Sequence, residues 1–570
     1  MYNVSILDGY IDEPTCLGVP PYISPYPRYI AGSIWTHNPK NKIFYLTIDQ
    51  LRKKPFLKKD IEKSDILIVI AGMSVPGRYL SGFPASPNEI SKLLEKINDS
   101  ILTILCGPAA KHGFGLEGGK KTKKIEESFD LIIKGDSEIV ISNLLENIPD
   151  IYKIDLTIKR KTAESIKDFA IKGAQIVKQH PFYPDYLIAE IETYRGCPRA
   201  ITNGCSFCSE SLKGLPVFRP IPNIVDEIES LYKNKIRHIR LGNQPCLFSY
   251  MAKKTGKKEF PEPNPEAIKK LFKSIRKTSP NLKTFHIDNV NPGIVAKYPD
   301  LSKKIAEIIV KYHTPGDTAA MGIESIDPKV IRRNNLKANR RGAMKAIKII
   351  NQAGRKRGKN GMPELLPGLN FVFGLKGETK KTYDLNYRFL KKILQKNLLL
   401  RRINLRQVIP LPNTKMSKTG INILKKNKKY FKKFKRKVNQ NIQRPMLKKI
   451  VPKKTILKDV YLEKRKGKIT FGRQIGSYPL LIGIPGVYNL NNFIDVHVVD
   501  YGYRSITAIP KDMNINTAPR EAIQSIEGIG KKRVVKILAN RPFNSKEDLE
   551  TIFAEPEIAK RILDYFTIKR

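Results

Sequence analysis

The sequence predicts an α/β protein: an N-terminal doubly wound parallel sheet, a partial (β/α)6 TIM-like barrel, a small β-barrel and C-terminal helical hairpins. Three observations lead there. Short apolar runs alternate with segments of helical periodicity up to residue 415, which is the pattern of parallel strands joined by helices. Residues 451–511 are rich in β-branched residues and glycine, as in small antiparallel barrels. Helical periodicity returns over 512–570, broken by a Gly-Ile-Gly turn at 528–530.

At about 150 residues per domain, the 570-residue chain has room for three or four domains. A hydrophobic fraction of 41% can fill packed cores and excludes a disordered protein. No apolar run approaches the roughly 18 residues of a membrane helix. The first residues, MYNVSILDGY, carry neither a basic n-region nor a cleavage site. The expectation is a cytoplasmic protein with no membrane partner.

Over residues 1–180, strands are expected at Val4 to Leu7, Ile43 to Thr47, Ile66 to Ala71, Ile101 to Cys106 and Leu131 to Lys134. Asn88 to Ile97 reads as one of the intervening helices. Gly72, Gly107 and Gly135 follow three of the strands, at the carboxyl edge where such sheets bind ligands. The Pro/Tyr-rich segment 18–27 is stiff and reads as a lid or a domain contact. Over 181–415, six strands are expected: Ile188 to Thr193, His238 to Leu241, Thr284 to Asp288, Ala319 to Ile323, Gly368 to Phe373 and Ile403 to Val408. Chemistry in such a barrel sits at the strand C-terminal ends. Residues 416–450 form a basic helical segment in which Leu424, Phe431, Phe434, Val438 and Ile442 recur at helical spacing. In the small barrel, Ile494 to Val499 and Arg504 to Ala508 read as strands.

The six cysteines stand at 16, 106, 197, 205, 208 and 246. In a reducing compartment the tight group reads as metal-binding. Cys197, Cys205 and Cys208 directly follow the first barrel strand. Three thiolates suffice for three irons of a four-iron cluster, leaving the fourth open. The CxxC pair also suits zinc, which would want a fourth ligand, and no His lies between 181 and 237. Cys246 reads as a small buried hydrophobe, with a thiol role in chemistry or at a second cluster as the alternative.

Cys197, Cys205, Phe207 and Cys208, taken with four later motifs, resemble the radical S-adenosylmethionine (radical SAM) superfamily. The cysteines are spaced seven and then two apart, where the family usually has three and then two. The segment Leu241-Gly242-Asn243-Gln244-Pro245 stands where the family often has Gly-Gly-Glu, and resembles its contact with the methionine amino group. Met321-Gly322-Ile323-Glu324-Ser325 resembles the fourth-strand signature and makes Glu324 and Ser325 candidates for the nucleoside or methionine end. Asn370 to Thr379 resembles the fifth-strand motif, where Gly374 lets the backbone approach adenine. Arg406 to Thr414 resembles the sixth strand. The resemblance implies a [4Fe-4S] cluster, S-adenosyl-L-methionine, a 5′-deoxyadenosyl radical and a reductant such as ferredoxin or flavodoxin. It further implies an enzyme, with methyl or methylthio transfer as the leading reaction. Residues 1–180 resemble the superfamily's cobalamin-binding-like domains, but the segment supplying an axial His is absent and Asp8 to Glu13 stands after strand one. Methylthiotransferases bring three further cysteines at this end, where this chain has Cys16 and Cys106.

The formal charge is +51. An anionic partner such as nucleic acid and a thermophile's scattered Lys usage both account for it. Position adds more: residues 385–458 contain no Asp or Glu but 24 Lys and Arg. Near the C-terminus, Ile526 to Arg533 resembles a helix–hairpin–helix motif. There Gly528 and Gly530 would open backbone N–H groups to a phosphate, and Lys531, Lys532 and Arg533 stand at the next helix start. Ala554 to Glu557 forms a second, acidic hairpin, read as structural. Residues 471–509 resemble the TRAM/OB-like barrel of tRNA-modifying relatives, with Arg473, Arg504, Tyr478 and Tyr503 as candidate RNA contacts. The expected substrate is a structured RNA, tRNA or rRNA. The alternatives are a small-molecule or protein substrate, or a non-enzymatic nucleic-acid-binding protein with a structural metal.

Overall fold

The computed structural model describes residues 1–12, 16–73, 79–113, 126–148 and 150–569. Strands β1 (Asn3–Asp8), β2 (Tyr22–Ile23), β3 (Lys42–Thr47), β4 (Ile66–Ile70), β5 (Leu102–Cys106) and β6 (Leu131–Ile132) begin the chain. All but β2 form one parallel sheet in the order β3-β1-β4-β5-β6. The winding reverses between β1 and β4. Helices cover both faces, so β4 is buried throughout and reads as an unbroken apolar run. The expected helix near Asn88 is Pro87–Leu94, capped by Ser86 and Glu89.

The glycines after these strands serve backbone packing. A Cβ on Gly72 would stand 2.8 Å from the Tyr10 carbonyl, and one on Gly107 (φ +88°) 2.8 Å from that of Ala71; on Gly135 it would overlap the Ile158 carbonyl. Asp8 is held by the Tyr10 N–H and the Tyr45 hydroxyl, each at 2.9 Å. Glu13 lies outside the described residues.

The barrel is built from β7 (Ile188–Glu192), the short antiparallel pair β8 (Tyr194–Arg195) and β9 (Val217–Phe218), then β10 (His238–Gly242), β11 (Thr284–Ile287), β12 (Asp317–Glu324), β13 (Leu365–Phe373) and β14 (Arg402–Gln407). Six of these coincide with the six expected strands. The parallel orders are β2-β7-β10-β11 and β12-β13-β14, bridged at Asn289 and Ala320. The seventh strand, β2, comes from the Pro/Tyr-rich segment, which is therefore a strap between domains. Two residues are too short to leave a periodic signal. The barrel stays open between its edge strands, β2 and β14.

Strands β15 (Ile456–Lys466), β16 (Ile469–Gln474), β17 (Leu481–Pro485), β18 (Phe493–Tyr501) and β19 (Ser505–Pro510) close a separate barrel in the order β15-β16-β17-β19-β18. Its loop at 475–480 crosses the opening of the larger barrel. Tyr22 donates to the Gly476 carbonyl (3.1 Å), the Ser477 N–H to His286 (2.8 Å), the Tyr478 hydroxyl to Asp288 (2.6 Å) and Arg401 to the Tyr478 carbonyl (2.6 Å). Helix Asn422–Val438 lays Leu424, Phe434 and Val438 inward, with Phe434 and Phe431 each 5.2 Å from the Phe373 ring. At the C-terminus, helices Arg520–Gln524, Lys531–Ala539, Lys546–Thr551 and Pro556–Leu563 enclose their own core. They are tied by β20 (Met513–Asn514) to β21 (Phe566–Thr567).

The first two domains share one buried charge cluster. Glu227, on helix Ile221–Lys233, pairs with Arg28 of helix Pro25–His37 and with Arg219 at 2.6 Å. All three side chains are fully buried. Arg28 also donates to the Glu190 carbonyl, Arg219 to that of Glu192 (2.9 Å), and the Tyr29 hydroxyl to Glu227 (3.2 Å). Burial opposes the Glu227 charge, but the two guanidiniums outweigh it and hold its carboxyl below the ordinary carboxylate range.

Glu227→Ala should destabilise the chain by about 3–5 kcal/mol, because it strands two buried guanidiniums. A group with a depressed folded pKa stabilises above its unfolded value, and that contribution is lost as pH falls through the folded one. Denaturant titrations should therefore show the deficit at pH 7 and a shrinking one as the medium is acidified below the ordinary carboxylate range. An unchanged midpoint at pH 7 would contradict the clamp.

Candidate active site

The cysteine loop leaves β7 and is pinched at its base by the β8–β9 pair. Its first turn, Pro198–Thr202, is a 3-10 helix ended by left-handed Asn203 (φ 59°) and Gly204 (φ 58°). This turn is where the seven-residue spacing goes. It buries Arg199, whose guanidinium donates to Cys205 Sγ at 3.0 Å, to Glu259 at 2.8 Å and to the Asn335 carbonyl at 2.7 Å. Ser206 bonds Asn334 through its N–H (3.1 Å) and its hydroxyl (2.8 Å). The loop is thereby fixed to the segment after β12.

From that segment comes Lys337, a half-buried residue. Burial opposes its charge, but Cys205, Glu324, Cys208 and Cys197 outweigh it and hold the amine above its ordinary value. All three thiols thus act electrostatically on one ammonium. Burial pushes Cys197 up to about 11 and Cys208 up to about 12, with Lys337 pulling both back. Loading a metal must therefore release protons. Among the described residues, no three Cys, His, Asp or Glu side chains converge on a point for a single ion. A soft thiolate donor set suits an iron–sulfur cluster, and Arg199 and Lys337 supply balancing charge.

Glu324 ends β12 with φ 62°, buried beside Lys337. Burial pushes its carboxyl up to about 7 against the pull of Lys337 and Arg406. Gly322 leaves room for this pair: a Cβ there would overlap Glu324 Oε1 and stand 2.6 Å from Lys337 Nζ. Ser325 is buried and turned away, accepting the Asp327 N–H at 3.2 Å.

The other residues expected to bind the cofactor make the following contacts. A Cβ on Gly242 would overlap the Glu190 carboxylate, so that glycine makes space for the barrel's interior Arg240–Glu190 pair, joined at 2.6 and 2.7 Å. Asn243 (φ 53°) donates to Glu192 at 2.7 Å. Gln244 is fully buried, its amide nitrogen on the Leu241 carbonyl at 3.1 Å and its Oε1 without a partner among the described residues. Gly374 (φ 92°) faces the Leu424 side chain, and its N–H is taken by Glu378 at 2.7 Å. Cys246 is buried, accepts the Asn291 N–H at 3.1 Å and belongs to the core.

Among the expected nucleic-acid contacts, Arg473 is occupied by Glu463 through bonds of 2.8 and 2.6 Å. Tyr478 plugs the larger barrel. Arg533 clamps its own turn, donating to the Gly528 carbonyl at 2.7 Å and to Glu555 of the second hairpin. These ion pairs form across elements that sequence spacing does not relate. Arg504, Tyr503, Lys531 and Lys532 are exposed, Gly528 (φ 86°) shapes the turn and Gly530 borders open space. Lys337 and Arg199 escaped the sequence reading because nothing distinguishes them among 104 Lys and Arg.

Residues 191–390 match the radical SAM superfamily. An uncharacterized protein of Methanocaldococcus jannaschii is 49% identical over 510 residues, 88% of this chain and 92% of the relative. An uncharacterized protein of Archaeoglobus fulgidus is 43% identical over 559 residues, 96% and 97% of the two chains. Among solved structures, the radical S-adenosylmethionine methyltransferase TsrM of Kitasatospora setae aligns over 72% of this chain and 74% of its own at 14% identity, TM-score 0.48. The cobalamin-dependent enzyme OxsB aligns over 76% and 56% at 10% identity, TM-score 0.45.

Replacing Cys197, Cys205 or Cys208 with Ala should abolish the broad visible iron–sulfur absorbance after anaerobic reconstitution, whereas Cys246→Ala should leave it intact. Loss of the chromophore in Cys246→Ala would return that thiol to the ligand set.

Proposed function

The chain belongs to the radical SAM superfamily, and on that premise we propose that it is a radical SAM enzyme that modifies a structured RNA in the cytoplasm. Cys197, Cys205 and Cys208 are the residues that would hold the [4Fe-4S] cluster. When bound, the cluster supplies the electron that cleaves S-adenosyl-L-methionine to a 5′-deoxyadenosyl radical, able to take hydrogen from unactivated C–H bonds. Ferredoxin or flavodoxin would provide that electron. Lys337 stands between the thiols and Glu324, where a methionine carboxylate would find its counter-charge. Glu324, poised near neutrality by burial, offers an acceptor to the amino or ribose end, and the Gln244 oxygen is a second one. The interior network of Glu190, Arg240, Asp288 and Tyr478 fills the barrel below the site and keeps bulk water out from that side.

Cobalamin is a possible further cofactor, and the described strand ends of the N-terminal sheet supply no residue that would hold it. Their glycines are packed on backbone and Asp8 is already hydrogen-bonded, so no step is assigned to that domain. In this reading the group transferred is a methyl or methylthio group.

The observation that carries the RNA reading is the helix Asn422–Val438. Its apolar face is spent on Phe373 and Leu424 covers Gly374 at the strand-end rim. Nine Lys and Arg side chains, Lys425 to Lys437, are exposed on the other side. No acidic residue stands within 385–458 to neutralise them. Such a face beside a reaction site collects phosphates irrespective of base sequence. The exposed Lys531 and Lys532 beside Gly530 extend it at a distance.

Two outcomes are expected. Affinity for tRNA should fall by about 10³-fold or more between roughly 50 and 200 mM salt, and each Lys→Gln change among Lys428, Lys432 and Lys435 should flatten the salt slope by about one unit. A salt-independent affinity would sink the RNA reading. With dithionite, reconstituted protein should release 5′-deoxyadenosine, and Lys337→Ala should weaken S-adenosylmethionine binding by about 10–100-fold with Lys337→Arg retaining more. Equal affinity in Lys337→Ala would remove that residue from the site.

A further inference from the structure

The gap between β2 and β14 is not fully plugged. A cavity of about 250 Å³ remains there, walled by the strap, the start of β14, helix Arg444–Ile450 and the small barrel. Five arginines line it; Arg473 is spent on Glu463, which leaves the guanidiniums of Arg401, Arg402, Arg406 and Arg504. Proteins pair buried arginines with carboxylates, because a desolvated charge is costly alone. Here Arg401 is buried, Arg402 half-buried, and Arg406 and Arg504 exposed at the mouth, and among the described residues none of the four makes an ion pair within 4 Å. Arg401 is 7% exposed and gives one bond to the Tyr478 carbonyl (2.6 Å), leaving its buried Nε without a partner. Arg402 lies over the Tyr478 ring at 4.0 Å. The acidic residue on the wall, Asp12, is itself engaged.

The four charges repel. Burial, Arg402 and Arg504 push Arg401 down to about 9. Burial, Arg406 and Arg504 push Arg402 down to about 10 against the pull of Tyr478 and Asp288. A fold that gathers unpaired guanidiniums loses stability by doing so, and functional sites are where such losses are tolerated. Guanidinium forks match phosphate oxygens bidentately, and the cavity has room for a phosphate with part of its sugar. Tyr503, 48% exposed on the rim, presents a ring on which a base can stack. Arg406 also acts on Glu324, so the cavity borders the candidate reaction site.

We propose that the arginine-lined gap between β2 and β14 is an oxyanion subsite that binds a phosphate group of the substrate and sets its distance from the reaction site. This deepens the RNA reading, in which the group is a phosphodiester near the modified nucleotide. A free phosphorylated small molecule would use the same chemistry.

The test uses full-length reconstituted protein with two probes, inorganic pyrophosphate and a short single-stranded oligoribonucleotide, against wild type, Arg402→Gln, Arg406→Gln and the double variant. Pyrophosphate should raise the wild-type Tm and compete with the oligoribonucleotide, and each variant should weaken both probes at least tenfold. Without ligand the variants should melt at or above the wild-type temperature, since repulsion is relieved; a merely structural role for these arginines would lower it. Pyrophosphate that neither stabilises nor competes, with oligoribonucleotide affinity unchanged in the variants, overturns the subsite while leaving the RNA reading standing. Pyrophosphate binding lost in the variants, with no oligoribonucleotide binding by wild type, supports the subsite and moves its source to a small phosphorylated molecule.

Discussion

Everything above the barrel depends on the Glu227 carboxylate. It receives one arginine from the N-terminal domain and one from the barrel's own loop, and both arginines continue onto the carbonyls of β7. Because β7 launches the cysteine loop, this cluster sets where the three thiols begin. Its members cannot be exchanged singly, since any one removed leaves like or unpaired charge in a place without water. The close approach of helix Pro25–His37 to helix Lys167–Gly173 has the same origin. A Cβ on Gly32 would overlap the Phe169 carbonyl and one on Gly173 the Arg28 carbonyl, so the helix carrying Arg28 can lie deep enough to reach Glu227.

A second tier of charge lies at the strand ends. Arg199 and Lys337 bracket the thiols, Glu324 balances Lys337, and Glu324 takes a left-handed backbone that a non-glycine residue adopts only when its surroundings impose it. Gly322 and Gly242 are glycines for one reason: in each case a carboxylate occupies the volume a side chain would take. At both motif glycines the space beside the backbone is thus taken by a carboxylate of the chain itself.

Basicity is divided by neighbours. Arg473 and Arg533 are neutralised by Glu463 and Glu555, while among the described residues the Lys face of helix Asn422–Val438 and Arg401, Arg402, Arg406 and Arg504 of the β2–β14 gap make no ion pair. A net charge of +51 is therefore a poor guide to which cations are available to a partner.

The alternation of apolar runs placed the strands of the first sheet and six strands of the barrel within a residue or three, because buried parallel strands must be continuously apolar. The cysteine trio stood out in the sequence because of its tight spacing, and the fold brings all three thiols within electrostatic reach of Lys337. The amphipathic stripe from Leu424 to Val438 was legible because helix geometry is local. What only the tertiary structure decided is pairing across elements. It made the strap at 18–27 a seventh strand, turned the long cysteine spacing into a 3-10 turn under Arg199, and brought Lys337 to the thiols. It consumed Arg473 and Arg533, and it gathered Arg401, Arg402, Arg406 and Arg504 with no ion pair within 4 Å among the described residues. Residue type and spacing report what a segment buries, whereas whether a charge is spent or free depends on which distant carboxylate the fold delivers to it.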